Sequence, residues 1–383
     1  MSIPSDPSVA IPASAAAIPA SAAAMTAAWL TSALHTGGHL GADASVVGLV
    51  LEPIGEVVGV FGTVHRVRPT YAGPAAAVTA APATLVAKFP TDVAENKTVG
   101  MALDLYAREI RALRHVASAT PGLRYARVMH ADMDIGSGSF ALLIEEIAGK
   151  AVGDQVAGLT RGQVETVMEA IAALHAHWWD HPELGASDWL PRTDHPVQVA
   201  VVPDIIRSAM PVVDKRYGER LGEAAMAIGH RVAEQYEAIM ARMSARARTF
   251  AHTDLRAVNL FFGADGGDLT IIDWQLCTWS NPMQDVIYLL GSSVTADDFD
   301  AWGVDVMRQY HEHLSSALAE RGAAYTWDEL WHDAQLVSLW ALVAPASTVG
   351  TFEMGNDLGA RISDVWLDRA FRLPVVLGAD ALL

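Results

Sequence analysis

The sequence predicts an α+β chain of two lobes, an antiparallel-sheet lobe first and a larger, mostly helical lobe after it. Three observations carry this prediction. The 383 residues are enough for two separate cores, and 51% of them are hydrophobic. Strand-like apolar runs with glycines among them occupy the region up to residue 147. Helical spacing of apolar residues dominates after residue 160, interrupted by one hairpin-like stretch at 250–287. Residues 1–25 read as a low-complexity mobile tail, 26–147 as the first lobe and 148–383 as the second.

In the first lobe, Ala27 to Leu34 reads as a short helix ended by Gly37-Gly38. Strand-like runs follow at Ser45 to Leu51 and Val57 to Val67. Gly55, Gly59 and Gly62 fall around the turn between them. Glycines in such a turn let backbone N–H groups approach phosphates without side-chain clash, although glycines also mark bulges. Thr84 to Phe89 is a strand whose only charge is Lys88. A lysine on a buried strand is costly without a partner. The helix from Tyr106 to Val116, with Tyr106, Ile110 and Leu113 on one face, offers Glu109 as that partner. Phe140 to Ile147 is a further apolar strand, ending in Glu145 and Glu146.

In the second lobe, Thr160 caps a helix from Arg161 to Trp179. His175 and His177 near its end lie two positions apart, which points them to different faces and argues against a metal site. Trp178, Trp179 and Trp189 read as core filling or as the lining of an acceptor pocket, with core filling favoured. Val201 to Met243 reads as two amphipathic helices. Asp305 to Arg321, Trp327 to Ala344 and Arg361 to Phe371 read as further helices, with Pro345 ending the second.

Between these helices lies the stretch that carries chemistry. His252-Thr253-Asp254 is followed by Asn259, then by a short run Leu260-Phe261-Phe262, a turn at Gly266-Gly267, and Leu269 to Ile272 running into Asp273. A hairpin over this stretch folds its ends together, so Asn259 and Asp273 come close in space. Phosphoryl transfer needs a carboxylate beside the attacking hydroxyl and hard oxygen ligands for magnesium. Asp254 fits the catalytic base, and Asn259 and Asp273 fit the Mg²⁺ ligands. The spacing H-x-D-x-x-x-x-N matches the kinase catalytic loop. Turn-forming aspartates at strand ends are common, but the three polar residues together at these offsets favour the kinase reading.

These residues, with the Ile271-Ile272-Asp273-Trp274-Gln275 run and Asp285 before an apolar helix, resemble the aminoglycoside phosphotransferase and choline kinase superfamily. The resemblance is closest to its ecdysteroid-kinase-like (CHK kinase-like) bacterial branch and covers about residues 45–345. It departs from the family at Thr253, where many relatives carry glycine. The resemblance implies a two-lobe protein-kinase-like fold. Gly55, Gly59 and Gly62 then cover the nucleotide, and Lys88 contacts its α- and β-phosphates and pairs with Glu109. Glu146 opens the hinge whose backbone groups meet adenine. Asp285 braces the catalytic loop. Gly153-Asp154-Gln155 also recurs in the bacterial branch, and Asp154 caps the next helix or contacts nucleotide. Closure across residues 146–153 excludes water.

Composition limits the alternatives. The formal net charge is −18, from 26 basic and 44 acidic residues, which argues against nucleic acid as a partner. Cys277 is the only cysteine, so no disulfide forms within the chain. No uninterrupted apolar run reaches membrane-spanning length, and no basic residue precedes Arg66, so a cytoplasmic location without a membrane partner is expected. Gly136 to Phe140 does not fit the G-x-S-x-G pattern of a hydrolase and reads as a hairpin turn. The expected function is an ATP- and Mg²⁺-dependent kinase acting on a hydroxyl of a small acceptor, lipophilic or steroid-like. The alternative is a non-catalytic nucleotide- or ligand-binding protein on the same fold.

Overall fold

The computed structural model describes residues 17–55, 61–134, 136–351 and 357–383. The chain divides into two compact units. The first holds residues up to Pro121 together with Tyr125–Ala148; the second holds Gly122–Arg124 and Gly149–Leu383. The α+β class is as predicted, with an antiparallel sheet in the first unit and a mostly helical second unit.

The first unit is built on a five-stranded sheet of order β1-β2-β3-β5-β4. The strands are β1 Ser45–Pro53, β2 Gly62–Ala72, β3 Leu85–Pro90, β4 Val128–Asp134 and β5 Ser139–Glu145, every neighbouring pair antiparallel. β3 is central, and all of its residues are buried. That burial follows from its position, since a strand flanked on both edges and covered on both faces has no solvent side. Helix α1, Ala27–Thr36, begins at Thr26, whose hydroxyl accepts the Trp29 amide, and seats Trp29, Leu30 and Leu34 in the sheet's core. Helix α2, Ala94–Ala102, leads to α3, Leu105–Arg111, which continues as a π-helical turn to Val116.

In the second unit, α4 (Arg161–His177) opens with a full capping box between Thr160 and Gln163. Helices α5 (Pro196–Leu221) and α6 (Glu223–Ala245) are separated by Gly222 at φ 84°, a backbone angle that glycine alone adopts easily. By length and composition α5 is apolar enough to cross a membrane, yet it carries Pro203 and Pro211 inside it. Helix α7, Met283–Ser293, is buried along all of its 11 residues and packs against α9 (Trp327–Ala341) and α11 (Asp357–Val376). A helix buried on every side has no polar stripe, and its few polar residues must find protein partners. Helix α8, Val304–Ala319, packs against α4.

Several boundaries differ from the sequence reading. Pro345 does not end a helix; it sits in the first turn of α10, Val343–Thr351, where its missing N–H has no helical acceptor to lose. The C-terminal helix reaches Val376 rather than Phe371. β4 and α2 were not foreseen.

Candidate active site

In the first unit, β3 brings Lys88 opposite Val64 on β2 and Leu142 on β5. Its ammonium lies 2.8 Å from the Glu109 carboxylate on α3. Both are buried, Lys88 to 8% exposure and Glu109 to 3%. A buried charge of either sign is costly alone, so each needs the other. The neighbouring arginines take other partners: Arg108 donates to the Leu103 carbonyl and Arg111 to Asp104. Gly62 opens β2 with its Cα over the Lys88 side chain; a Cβ there meets Lys88 Cε at 3.3 Å and the Phe89 carbonyl at 3.1 Å. Gly55 has φ 98°. Gly59 lies outside the described residues. Glu146 follows β5 and accepts from Arg66 Nε at 2.5 Å.

In the second unit, β7 is Thr249–Ala251, and three other short strands form a sheet of order β6-β8-β9: β6 Ala151–Val152, β8 Leu260–Phe262 and β9 Thr270–Ile271. β8 and β9 pair antiparallel, Leu260 with Ile271 and Phe261 with Thr270, which is the expected hairpin. One step beyond the ladder, the Ile272 amide donates to the Asn259 carbonyl at 3.0 Å. Asn259 and the residue preceding Asp273 are therefore hydrogen-bonded neighbours. Asn259 Nδ2 donates to the Asp254 carbonyl at 2.9 Å and to Asp254 Oδ2 at 3.0 Å. Asp254 and Asn259 are buried to 4% and 5% exposure. Asp273 takes a left-handed backbone, φ 65°, and Gln275 Nε2 approaches its Oδ2 at 3.4 Å. An aspartate tolerates that backbone better than most residues.

His252 holds the loop from inside. Its Nε2 faces the Ile272 carbonyl at 2.9 Å and so donates, while its Nδ1 accepts the Asp254 amide at 3.3 Å. Its ring packs edge-on against Trp274, with centroids 4.8 Å apart. The histidine is thus a structural strut beneath Asp254 and Asp273.

Asp285, on α7, accepts from the His252 amide at 2.8 Å and the Thr253 amide at 2.7 Å. Its third partner is His175 Nε2 at 3.1 Å, and His175 Nδ1 meets the Tyr310 hydroxyl at 2.7 Å. Burial pushes the Asp285 carboxyl up. The hydrogen bonds and charges of His175 and His252 outweigh it and hold the carboxyl below its ordinary value. Burial, with Asp285 nearby, raises the Tyr310 phenol well above its usual range.

Sequence reasoning missed four participants. His175 enters the sequence reading only as one of two histidines that do not form a metal site; its partner Asp285 is 110 residues away. Arg256 lies with Nε 3.1 Å from Asp254 Oδ1, and its sequence signal is a positive charge two positions after that aspartate. Burial lowers the Arg256 pKa, but the charge of Asp254 foremost, with that of Asp273, overcomes this and raises it. Tyr288 lies one turn after Asp285, and burial followed by the Asp254 charge drives its phenol far up. Gln275 is noted above beside Asp273.

Gly153-Asp154-Gln155 now has a physical account. The Gly153 amide donates to the Leu260 carbonyl at 2.9 Å, and a Cβ on Gly153 would meet the Ala257 carbonyl at 2.7 Å. Only glycine lets this segment lie against the loop that carries Asp254 and Asn259. Asp154 closes a turn by accepting from the Val156 and Ala157 amides at 2.8 and 2.9 Å, and Thr160, not Asp154, caps the next helix. Trp178 and Trp179 are buried among core residues.

This combination of fold and loop geometry defines a protein of the kinase-like phosphotransferase class. Residues 77–325 match the phosphotransferase enzyme family (APH), and the chain belongs to that family. The fold is similar to that of choline kinase from Cryptosporidium parvum Iowa II, with a TM-score of 0.53, 12% identity, and 88% of this chain and 91% of that chain covered. It is also similar to aminoglycoside 2′-phosphotransferase-IIIa in its GDP complex, with a TM-score of 0.50, 17% identity, and 93% and 100% covered. No curated protein matches in sequence. The superfamily resemblance read from the sequence is therefore borne out.

Proposed function

We propose that this protein transfers the γ-phosphoryl group of ATP to a hydroxyl of a small acceptor with Mg²⁺ bound. The observation that carries the reading is the loop array: Asp254 and Asn259 hydrogen-bonded to each other, and Asn259 tied through its carbonyl to the residue before Asp273. In this reading Asp254 orients the acceptor hydroxyl and takes its proton. Lys88, held by Glu109, meets the nucleotide phosphates that Gly55, Gly59 and Gly62 would cover, and the backbone around Glu146 meets the base.

The donor set suits magnesium. Asn259 turns its Nδ2 onto Asp254, which directs its Oδ1 away from that residue, and Asp273 adds a carboxylate. Two hard oxygen ligands with the remaining positions left to water and phosphate is the usual Mg²⁺ arrangement. A magnesium ion held by Asn259 and Asp273 would neutralise charge on the transferring phosphate.

Residues 26–147 serve as the nucleotide lobe and 148–383 as the catalytic and acceptor lobe; the expected tail of residues 1–25 is corrected at its end, because Ala22 and Met25 are buried in the core of the first unit and Ile18 packs against it. The resemblance to the ecdysteroid-kinase-like branch supports a hydroxylated lipophilic or steroid-like acceptor. The need for nucleoside triphosphate supports a cytoplasmic site of action. The test is Mg-ATP turnover across a panel of hydroxylated small molecules, run beside Asp254→Ala. Acceptor-dependent transfer that drops about 10²–10⁴-fold in the variant is expected. No nucleotide-induced thermal shift at saturating Mg-ATP would instead favour a binding-only protein.

A further inference from the structure

Three aromatic side chains from three helices gather beside Asp254: Tyr288 on α7, Trp340 on α9 and Trp366 on α11. Tyr288 is the middle ring and the one on which the Asp254 charge acts. Trp340 lies tilted beside it with centroids 5.5 Å apart, and Trp366 stands edge-on to it at 5.7 Å. Tyr288 and Trp366 are buried, whereas Trp340 is half-buried and keeps part of its side chain open. Aromatic faces next to a carboxylate are a seat that an ammonium-bearing alcohol would take. In this chain that seat is filled from within. The Arg256 guanidinium lies 5.4 Å from the Trp366 ring centroid while its Nε sits 3.1 Å from Asp254 Oδ1. One side chain thus occupies a face of Trp366 and offsets the charge of Asp254.

The consequence concerns the acceptor, and it rests on the proposed function, in which Asp254 receives the acceptor hydroxyl. A cation entering beside Asp254 meets a like charge on the aromatic face it would use and a carboxylate already compensated. A repulsive group of this kind rejects the wrong ligand rather than merely failing to attract it. An uncharged ring meets no such repulsion. Trp340 offers it a rigid, flat, apolar surface, set one ring beyond Tyr288. We propose that the acceptor is an uncharged alcohol built on a flat ring system, that its ring lies on the Trp340 indole with the hydroxyl toward Asp254, and that Arg256 on Trp366 excludes ammonium-bearing alcohols. Trp340 is then the acceptor's platform and Arg256 the group that sets its charge.

The test measures binding to the full chain by equilibrium dialysis, with magnesium and a non-hydrolysable imido analogue of ATP present. The probes are two uncharged ring alcohols, 2-naphthaleneethanol and estriol, and two cationic alcohols, choline and kanamycin. The uncharged pair is expected to bind at least 10-fold more tightly than either cation. Trp340→Ala is expected to weaken the uncharged pair at least 10-fold. Trp340→Phe, which keeps a ring and guards against a folding defect in the first variant, is expected to recover part of that loss. Arg256→Met frees the Trp366 face and removes the like charge, and is expected to tighten choline at least 10-fold. Cations that bind the wild type as tightly as the uncharged pair, an uncharged pair that does not bind, or choline unchanged in Arg256→Met each overturn the proposal. So does an uncharged pair that binds Trp340→Ala undiminished. A thermal shift with Mg-ATP, run on every protein, separates the two levels. A wild-type shift alongside any of those failures sinks the acceptor assignment alone, and no shift in the wild type sinks the kinase reading together with it.

Discussion

Asp285 Oδ1 accepts the backbone amide of Thr253 at 2.7 Å, across 32 positions of sequence, and holds that threonine at φ 69°. A β-branched residue in the left-handed region is strained by about 1–3 kcal/mol. The strain is tolerated because the amide is clamped and the Thr253 hydroxyl shares a hydrogen bond of 2.8 Å with Thr278. Glycine, the residue many relatives carry here, removes the strain and loses a hydroxyl pair worth about 1 kcal/mol. Thr253→Gly is therefore expected to be at least as stable as the wild type in urea unfolding. Thr253→Val keeps the strain and loses the hydroxyl, and is expected to be less stable by about 1 kcal/mol. If glycine costs more than valine, the strain argument fails.

Asp285→Asn should be among the most damaging single changes in the second unit. It places an amide against two backbone N–H donors and His175 in a fully buried setting. The expected cost is about 3–5 kcal/mol. The pH dependence has a definite sign. The folded carboxyl is held below its ordinary value, so its stabilisation is fully present above the unfolded value of about 3.9. It is lost as pH falls through the folded value. The stability gap between wild type and variant should thus be constant from neutral pH down to about 5 and close below about 4. Urea midpoints measured along that series check it; a gap that stays open in acid would show that geometry, not charge, carries the effect.

Lys88 and Glu109 call for a double-mutant cycle. Lys88→Met removes the counter-charge of a carboxylate at 3% exposure and should cost about 3–5 kcal/mol. Adding Glu109→Leu replaces the pair with apolar groups and should return most of that stability. Nucleotide binding should be lost in both. A double variant that regains stability without regaining Mg-ATP affinity separates the pair's structural part from its proposed contact with phosphate. Regained affinity would remove Lys88 from the nucleotide site.

What could be read beforehand was local. Asp254, Asn259 and Asp273 stand in a hairpin whose turn glycines and flanking strands announce it, and Lys88 is the one charge on an apolar strand. β4 escaped because His130 and Asp132 break its apolar pattern, yet both point inward and lie 3.0 Å apart in the core. A buried polar pair looks like surface to any pattern of hydrophobicity. The His175–Asp285 contact and the seat of Arg256 on Trp366 join residues far apart in sequence, and no local spacing encodes them. Pro345 misled because a proline that ends one helix and a proline that begins the next look the same in sequence.

Asn259 offers the sharpest electrostatic prediction. Its Nδ2 faces two Asp254 oxygens, the carbonyl at 2.9 Å and Oδ2 at 3.0 Å. Asn259→Asp exchanges that donor for a second carboxylate against the first. The expected loss at neutral pH is about 2–3 kcal/mol. Like charges at such a distance force one of the two acids to a raised folded pKa. An acid with a raised folded pKa destabilises above that value, and the penalty fades as pH falls through it. The gap to wild type should therefore narrow between about pH 8 and about pH 5. Asn259→Ala removes the donor without adding charge, so its gap should stay level over the same range. Thermal unfolding of the three proteins at both pH values decides it. Parallel losses for aspartate and alanine would mean that Asn259 does not present its amide to Asp254, and its Oδ1 would then have no fixed direction toward a metal ion.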